Sequence, residues 1–269
     1  MDRETLKRIL LENSLAPNRA LGQNFLVDET IVRAILDGAG IDGLPVLEVG
    51  PGLGALTEGL LIRAARVVAV EKDAALAEIL IKRLPDTRLT VEAADFLQFD
   101  VRRAMGNGPF AAVGNLPYYI TTPIAERLVC LPVCSVTLMV QSEAAERFFA
   151  RPGDRVYGPL AGVAQAFYRV EALLDVPPGA FYPAPEVNSR VVRLMRRERA
   201  DGAEPEAALR FMKRAFAMRR KTLLNALGRR PGLAGTLSEL GLPADVRAEA
   251  VDPETLMQLF TNMKEEAET

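Results

Sequence analysis

The stretch Asn115-Leu116-Pro117-Tyr118 carries the residue types needed to hold an exocyclic amine. Pro117 has no backbone N–H and a fixed φ, so the loop is short of donors and rich in acceptors. The Asn115 side-chain oxygen and the Leu116 carbonyl can both address one point, and an amine on an aromatic ring has two N–H bonds to give. Two acceptors there would hold the amine and favour attack by its nitrogen out of the ring. Tyr118 offers a flat surface for the base. A second aromatic loop, Pro177-Pro178-Gly179-Ala180-Phe181-Tyr182-Pro183-Ala184-Pro185, is either a rigid connector or the opposite wall. In the second case Phe181 stacks on the far face of an extruded base, which enzymes acting on exocyclic base atoms commonly sandwich between apolar groups.

A cofactor is suggested further upstream. Glu48-Val49-Gly50-Pro51-Gly52-Leu53-Gly54 ends a strand-like run and leads into a helix-like one. Glycines let the backbone turn sharply and approach a ligand closely, and nucleotides bind outside the carboxyl end of such a strand in an open α/β sheet. The spacing is neither the dinucleotide fingerprint nor a P-loop, so no phosphate cradle is compelled. Glu71 closes the second strand-like run, 21 residues after Gly50, where a carboxylate can accept from ribose hydroxyls. Asp95 closes the third and is followed by Phe96, a pair suited to an adenine amine and an adenine face. Any one of these could be a turn glycine or a helix cap. On three successive strand ends they point to a cofactor with an adenosine and no diphosphate. S-adenosylmethionine fits, and NAD fits less well. A sulfonium methyl is already activated, so positioning can supply most of the catalysis. The chain has no histidine, which excludes Ser-His-Asp hydrolysis and His-ligated metals but is no obstacle here.

These loops need a scaffold, and the hydrophobic pattern supplies one. Residues 45–49, 66–71, 88–95, 110–115 and 136–141 read as buried parallel strands, apolar inside and polar only at their ends. Helix candidates lie near 54–64, 74–84 and 122–130, giving the alternation of a doubly wound α/β sheet. Runs at 168–176 and 189–196 could complete it. Asp28 is a helix N-cap for the segment ending near Gly38 and Gly40. ADGAEPEA, residues 200–207, reads as a linker, and beyond it the pattern is helical. Met212, Phe216, Leu223 and Leu227 share one helical face, with Arg219, Arg220 and Lys221 between them. At 269 residues, 49% hydrophobic and 25% charged, the chain can build a sizeable core, so disorder and a disulfide scaffold are excluded. No apolar run approaches the roughly 18 residues of a membrane span, and the charged N-terminus lacks a signal-peptide core. Cys130 and Cys134 read as buried thiols in a reducing compartment.

Charge is uneven. Residues 186–230 carry a net +8, against −4 before and −6 after, and residues 211–230 hold seven basic side chains and no acid. Such an island is either a solvated helix face or a polyanion contact.

Eight segments, LGQNFLVD (21–28), LEVGPGLGALTE (47–58), VVAVEKD (67–73), AADFLQFD (93–100), VGNLPYYITTPI (113–124), LMVQSEAAERF (138–148), VPPGAFYPAPEVNSRVVRL (176–194) and FAMRRKTLLNAL (216–227), together resemble the ribosomal RNA adenine N6,N6-dimethyltransferase family, and most its small-subunit branch. The resemblance implies an α/β class I, Rossmann-like methyltransferase domain over residues 1–200 and a small all-helical domain over 201–269. It implies methyl transfer from S-adenosyl-L-methionine, leaving S-adenosyl-L-homocysteine, to N6 of two adjacent adenosines in the 3′-terminal hairpin of small-subunit (16S) rRNA. The substrate implied is a pre-30S particle late in assembly. The resemblance places Gln23, Asn24, Leu26, Gly50, Gly52, Glu71, Lys72, Asp95, Phe96 and Asn115 against the cofactor. It gives the target base to Asn115, Leu116, Pro117, Tyr118 and Phe181, and the rRNA to Arg219, Arg220 and Lys221. Tyr119 and Thr121 stand where many members have Asn and Ser, and Ser142 and Asn188 where Lys and Asp are frequent.

Three other readings are set against this one. A macrolide-resistance type methylase of large-subunit rRNA shares the two loops but not the segments at 176–194 and 216–227. A protein acting chiefly as a small-subunit assembly factor would keep the surface and not need the chemistry. A NAD-dependent oxidoreductase would need a diphosphate site. The preferred reading carries further expectations: no metal, no membrane, a monomer, and a cytoplasmic location.

Overall fold

The computed structural model describes residues 1–18, 21–199, 202–228 and 231–268. Arg229 and Arg230, which end the basic stretch, and Ala200 and Asp201, which begin the expected linker, lie outside the described residues. In chain order the strands are β1 (Phe25–Leu26), β2 (Pro45–Val49), β3 (Arg66–Glu71), β4 (Leu89–Ala93), β5 (Phe110–Asn115), β6 (Val133–Gln141), β7 (Tyr168–Val176), β8 (Phe181–Tyr182) and β9 (Ser189–Arg196). The helices are α1 (Arg3–Glu12), α2 (Glu29–Gly38), α3 (Thr57–Arg63), α4 (Ala74–Arg83), α5 (Val101–Met105), α6 (Thr121–Val129), α7 (Ser142–Phe149), α8 (Pro159–Phe167), α9 (Pro205–Phe216), α10 (Leu223–Ala226), α11 (Leu233–Glu239) and α12 (Pro253–Glu268).

The chain divides into two compact units. The first comprises residues 1–128, 132–145 and 171–195. Its seven-stranded sheet has the order β4-β3-β2-β5-β6-β9-β7. β2, β3, β4, β5 and β6 run parallel, and β9 pairs antiparallel with β6. The central strands form where β-favouring Val recurs among other apolar residues: Val46, Leu47, Val67, Val113 and Val136 are all buried. Each such side chain stabilises by roughly 1.5–3 kcal/mol relative to exposure. Asp28 caps α2 by accepting from the Thr30 and Ile31 N–H groups, and Asp73 caps α4 by accepting from Ala75 and Leu76.

The strand order shapes the functional end of the sheet. The chain leaves β2 toward β3 and β4, then returns through β5 to the other side of β2. The carboxyl ends of β2 and β5 therefore lie side by side, with Val49 registered on Gly114, and a crevice opens between the loops that leave in opposite directions. A second, two-stranded sheet pairs Phe25 with Tyr182 and Leu26 with Phe181.

The second unit comprises residues 129–131, 146–170 and those from 196 onward. The sequence places a single boundary at residue 200, whereas packing draws 146–170 into this unit. The cause is α8, where seven of nine residues are buried, too apolar to face water on any side. It is covered by α9 and α12. Gly162 permits the approach, since a Cβ there would meet the Met212 Sδ at 3.2 Å. Tyr157 adds an edge-on contact with Phe216 and donates to the Val251 carbonyl at 2.8 Å.

Two sequence expectations are corrected by the packing. The apolar face from Met212 to Leu227 is not one helix: α9 ends at Phe216, and Thr222 caps the new helix α10 by accepting from the Asn225 N–H. Phe216 and Leu223 remain buried on either side of the break, so the pattern reports burial rather than continuity. The two thiols form no disulfide and are half-buried, not sealed in the core; Cys134 donates to the Phe110 carbonyl. Among the described residues no helix is long and apolar enough to cross a membrane.

Candidate active site

The glycine turn after β2 is bent by three residues at positive φ: Gly50 at +70°, Gly52 at +56° and Gly54 at +86°. L-residues rarely adopt such angles. At Gly52 space is short as well, because a Cβ would meet the Phe25 ring at 3.2 Å. The turn is tied to the neighbouring strand by Glu71, which accepts from the Gly52 N–H and the Asp73 N–H, each at 2.9 Å. Burial pushes the Glu71 carboxyl up, against these hydrogen bonds, which pull it down. Glu48, on the floor of the same cavity, is also buried and accepts from the Thr57 hydroxyl at 2.7 Å. Its pKa is pushed up to about 8 by burial, with the Thr57 bond opposing and the Glu71 charge adding a smaller upward push.

The adenine-type end has a different character. Asp95 accepts from the Lys72 ammonium at 3.0 Å and from the Leu97 N–H at 2.9 Å. The Lys72 bond holds its pKa below the usual carboxylate range. Phe96 is buried at its side, with the Arg127 guanidinium 5.1 Å from the ring centroid. Arg127 also donates to the Phe96 and Phe99 carbonyls, which fixes the turn after β4.

The acceptor loop leaves β5 directly beside the glycine turn: a Cβ on Gly50 would lie 3.5 Å from the Asn115 carbonyl. The Asn115 Nδ2 donates to the Asn24 carbonyl at 3.1 Å, leaving its side-chain oxygen as the acceptor. The Leu116 N–H donates to the Met139 carbonyl, and the Leu116 side chain is buried. Tyr118 is half-buried and shares a 3.0 Å hydrogen bond with the Ser189 hydroxyl. Burial raises its pKa, with that bond opposing.

One cavity is lined by Gln23, Asn24, Leu26, Gly50, Gly52, Glu71, Lys72, Asp95, Phe96, Asn115, Leu116, Pro117 and Tyr118. Phe181 is not among its walls. It is 1% exposed and belongs to the hydrophobic core with Leu26, Ala180 and Val191. The β1–β8 pairing, which sets Phe181 opposite Leu26, turns it inward, so Phe181 does not supply the expected second stacking face. Gln23 has a bracing role that its type alone did not announce. It donates to Asp73 at 2.9 Å and accepts from the Asn18 N–H at 2.8 Å. Sequence reasoning assigned no role to Glu48, Thr57, Asp73, Arg127 or Ser189. Glu48 and Asp73 were visible as acids at strand ends, but Arg127 and Ser189 act through distant pairings that carry no local signal.

Among the described residues Lys72 is the only basic side chain on the cavity walls, and Asp95 engages it, which does not suit a diphosphate. Acceptors for a diol and an amine, beside a glycine turn open to a ligand backbone, suit an adenosine joined to an amino acid. Among the described residues, no group of three or more His, Cys, Asp or Glu side chains is placed to hold a metal ion. In the helical unit, Arg219, Arg220 and Lys221 occupy an exposed turn between α9 and α10. Arg219 is paired with Glu249 at 3.2 Å and donates to the Arg155 carbonyl at 3.1 Å.

Comparison with known proteins gives a consistent result. The family profile described as ribosomal RNA adenine dimethylase matches residues 15–265. A Deinococcus radiodurans protein named ribosomal RNA small subunit methyltransferase A is 44% identical over 253 residues, 91% of this chain and 85% of that protein. Its namesake in Acidobacterium capsulatum is 41% identical over 256 residues, 91% of this chain and 90% of that one. Among solved structures, a dimethyladenosine transferase from Plasmodium falciparum aligns with a TM-score of 0.75 at 23% identity, covering 90% of this chain and 98% of the other. The 23S rRNA methyltransferase ErmE aligns with a TM-score of 0.66 at 30% identity, over 90% of this chain and 100% of that one.

The buried Glu48 gives a pH signature. An unfolded carboxyl titrates near 4.5, and the folded one near 8. Between these values the folded state holds a proton that the unfolded chain has released. Stability from this group is therefore full below about 4.5 and is lost as pH rises through about 8. Thermal unfolding of Glu48→Gln against the unaltered protein should show the variant gaining on it by about 2–5 kcal/mol from about pH 5 to about pH 9. Parallel pH profiles would contradict a neutral Glu48.

Proposed function

Because the chain belongs to the ribosomal RNA adenine dimethylase family, we propose that it transfers methyl groups to N6 of two adjacent adenosines in the 3′-terminal hairpin of small-subunit rRNA, on a pre-30S particle late in assembly. The observation that carries the reading is the meeting of two loops at the β2–β5 crevice: a glycine turn backed by carboxylates, and an acceptor-rich Asn-Leu-Pro-Tyr loop. The family and fold imply S-adenosylmethionine as the methyl donor, and no metal is needed for that chemistry. The enzyme works as a monomer in the cytoplasm.

When bound, S-adenosylmethionine supplies a methyl group already activated on a sulfonium. Glu71 takes the ribose hydroxyls with the lone pairs that Gly52 and Asp73 leave open. Asp95, kept ionised by Lys72, takes the adenine amine, and Phe96 packs on the ring. Gly50 lets the methionine part lie against the backbone. At the target, the Asn115 oxygen and the Leu116 carbonyl accept the two N–H bonds of the exocyclic amine. Asn24 is a positioning residue. By accepting from the Asn115 Nδ2, its carbonyl keeps the Asn115 oxygen, and not the NH2, toward the amine. Tyr118, steadied by Ser189, carries the base face. With nucleophile and electrophile aligned, positioning supplies the rate, and the product nitrogen sheds its proton to water. Arg220 and Lys221, and Arg219 to the extent that Glu249 releases it, contact rRNA phosphates.

The test is methyl transfer from labelled S-adenosylmethionine to unmethylated small subunits, with large subunits in parallel and the product base identified by mass. Dimethyladenine in the small subunit alone is expected. Label in the large subunit alone would move the chain to the resistance-type branch. No label in either, with S-adenosylhomocysteine still bound, would favour an assembly role. In the same assay Asn115→Ala should abolish transfer and spare subunit binding; equal loss of both would contradict its role.

Neutralising Arg219, Arg220 and Lys221 together should weaken subunit binding and flatten its salt dependence, by roughly 0.7–0.9 in log–log slope for each phosphate no longer engaged. Because Arg219 is already paired, the expected total is nearer two phosphates than three. An unchanged slope would place the rRNA-binding surface elsewhere.

A further inference from the structure

We propose that Tyr119 is the stacking platform for the unpaired nucleotide next to the target adenine, and so a substrate-binding residue of the rim. The proposal rests on the rRNA-adenine reading above. Of the aromatic side chains described, Tyr119 alone is exposed, at 55%, whereas Tyr118 beside it is half-buried and hydrogen-bonded. A singly exposed ring is ordinary on a protein surface, so it is the place of this one that carries the argument. It lines the rim of the same cavity that holds the acceptor loop.

The ring is braced as a platform would have to be. Its Cδ1 edge faces Gly22, 3.5 Å from where a Cβ on that residue would stand, so a larger side chain there would touch the ring. The turn that carries it is closed by the Ile120 N–H donating to the Pro117 carbonyl, and by the Thr121 hydroxyl donating to the Pro117 and Tyr118 carbonyls. A tyrosine held this way loses little freedom on binding. Lys72, half-exposed, feels the Tyr119 hydroxyl, its pKa raised first by its hydrogen bond to Asp95 and in smaller part by that phenol. Ring and cation thus share one rim.

The chemistry of the substrate calls for such a surface. Bringing an adenine into the cavity unstacks it from its neighbour, and that neighbour then presents a bare π-face. Unpaired bases are recognised by stacking on aromatic side chains, largely regardless of base identity. Tyr118 serves the base inside the cavity; Tyr119, one residue on and exposed at the rim, is placed for the base left outside.

The experiment compares Tyr119→Ala and Tyr119→Phe with the unaltered enzyme, measuring kcat and KM for unmethylated small subunits, S-adenosylhomocysteine affinity, and thermal unfolding. Expected is a KM raised about tenfold by alanine, with kcat, cofactor affinity and unfolding temperature little changed, and full rescue by phenylalanine. A KM unchanged in Tyr119→Ala would overturn the proposal. So would a parallel loss of cofactor affinity, which would assign the ring to the cofactor, or a failure of phenylalanine to rescue, which would assign the role to the hydroxyl. If the unaltered enzyme labels only large subunits, the small-subunit reading fails but the same KM comparison on large subunits still decides the role of Tyr119. If it labels neither, both fail.

Discussion

The Glu71 carboxylate holds the site together. Its two oxygens accept from Gly52 on one side and Asp73 on the other, so a glycine turn at positive φ is clamped to the end of a neighbouring strand. The clamp continues outward. Asp73 accepts from Gln23, and Gln23 accepts from the Asn18 N–H, which anchors the N-terminal segment across the cavity. Asn24 of that same segment then accepts from Asn115. Hydrogen bonds, continued through the covalent Gln23–Asn24 link, thus connect the glycine turn to the acceptor loop. Burying the clamp is unfavourable for the carboxyl, whose ionised form loses its hydration. The core strands on either side offset that cost. Buried acids hydrogen-bonded in fixed places are what a preorganised site requires.

That arrangement explains how a chain without histidine can do group transfer. The reacting carbon is activated by the cofactor, so the protein needs acceptors in fixed places rather than a strong base. Pro117 removes a donor, Leu116 is pinned by the Met139 carbonyl, and Asn115 has its NH2 committed elsewhere. Each constraint acts on geometry and none on proton affinity. Arg219, Arg220 and Lys221, proposed to meet rRNA phosphates, belong to an exposed turn of the helical unit. Chemistry and electrostatic attraction therefore draw on different elements and should be separable by mutation.

The centre of the sheet was legible because β2, β3 and β5 are short, buried parallel strands rich in Val, Leu and Ala. β2, β3, β5, β7 and β9 coincide with the runs read from the sequence, and β4 and β6 differ only at their ends. The site was legible where residue type and strand-end position coincide: Gly50, Gly52, Glu71, Asp95 and Asn115 all reach one cavity. What was not legible depends on distant partners. Phe181 looked like a stacking ring because its loop is rich in proline, but its orientation is set by pairing with Leu26, far away in sequence. α8 joined the helical unit because of what covers it, not because of its own pattern. The break after Phe216 was hidden because buried residues on both sides preserved the apolar rhythm.

Calorimetric titration of S-adenosylhomocysteine into the unaltered protein and Glu71→Ala, with thermal unfolding measured on both, tests the clamp most directly. Binding by the unaltered protein is predicted, with a loss of at least about tenfold, or ~1.4 kcal/mol, in the variant while it remains folded. Equal affinities in the two proteins would contradict the role given to Glu71, and with it the linkage that carries the rest of the site.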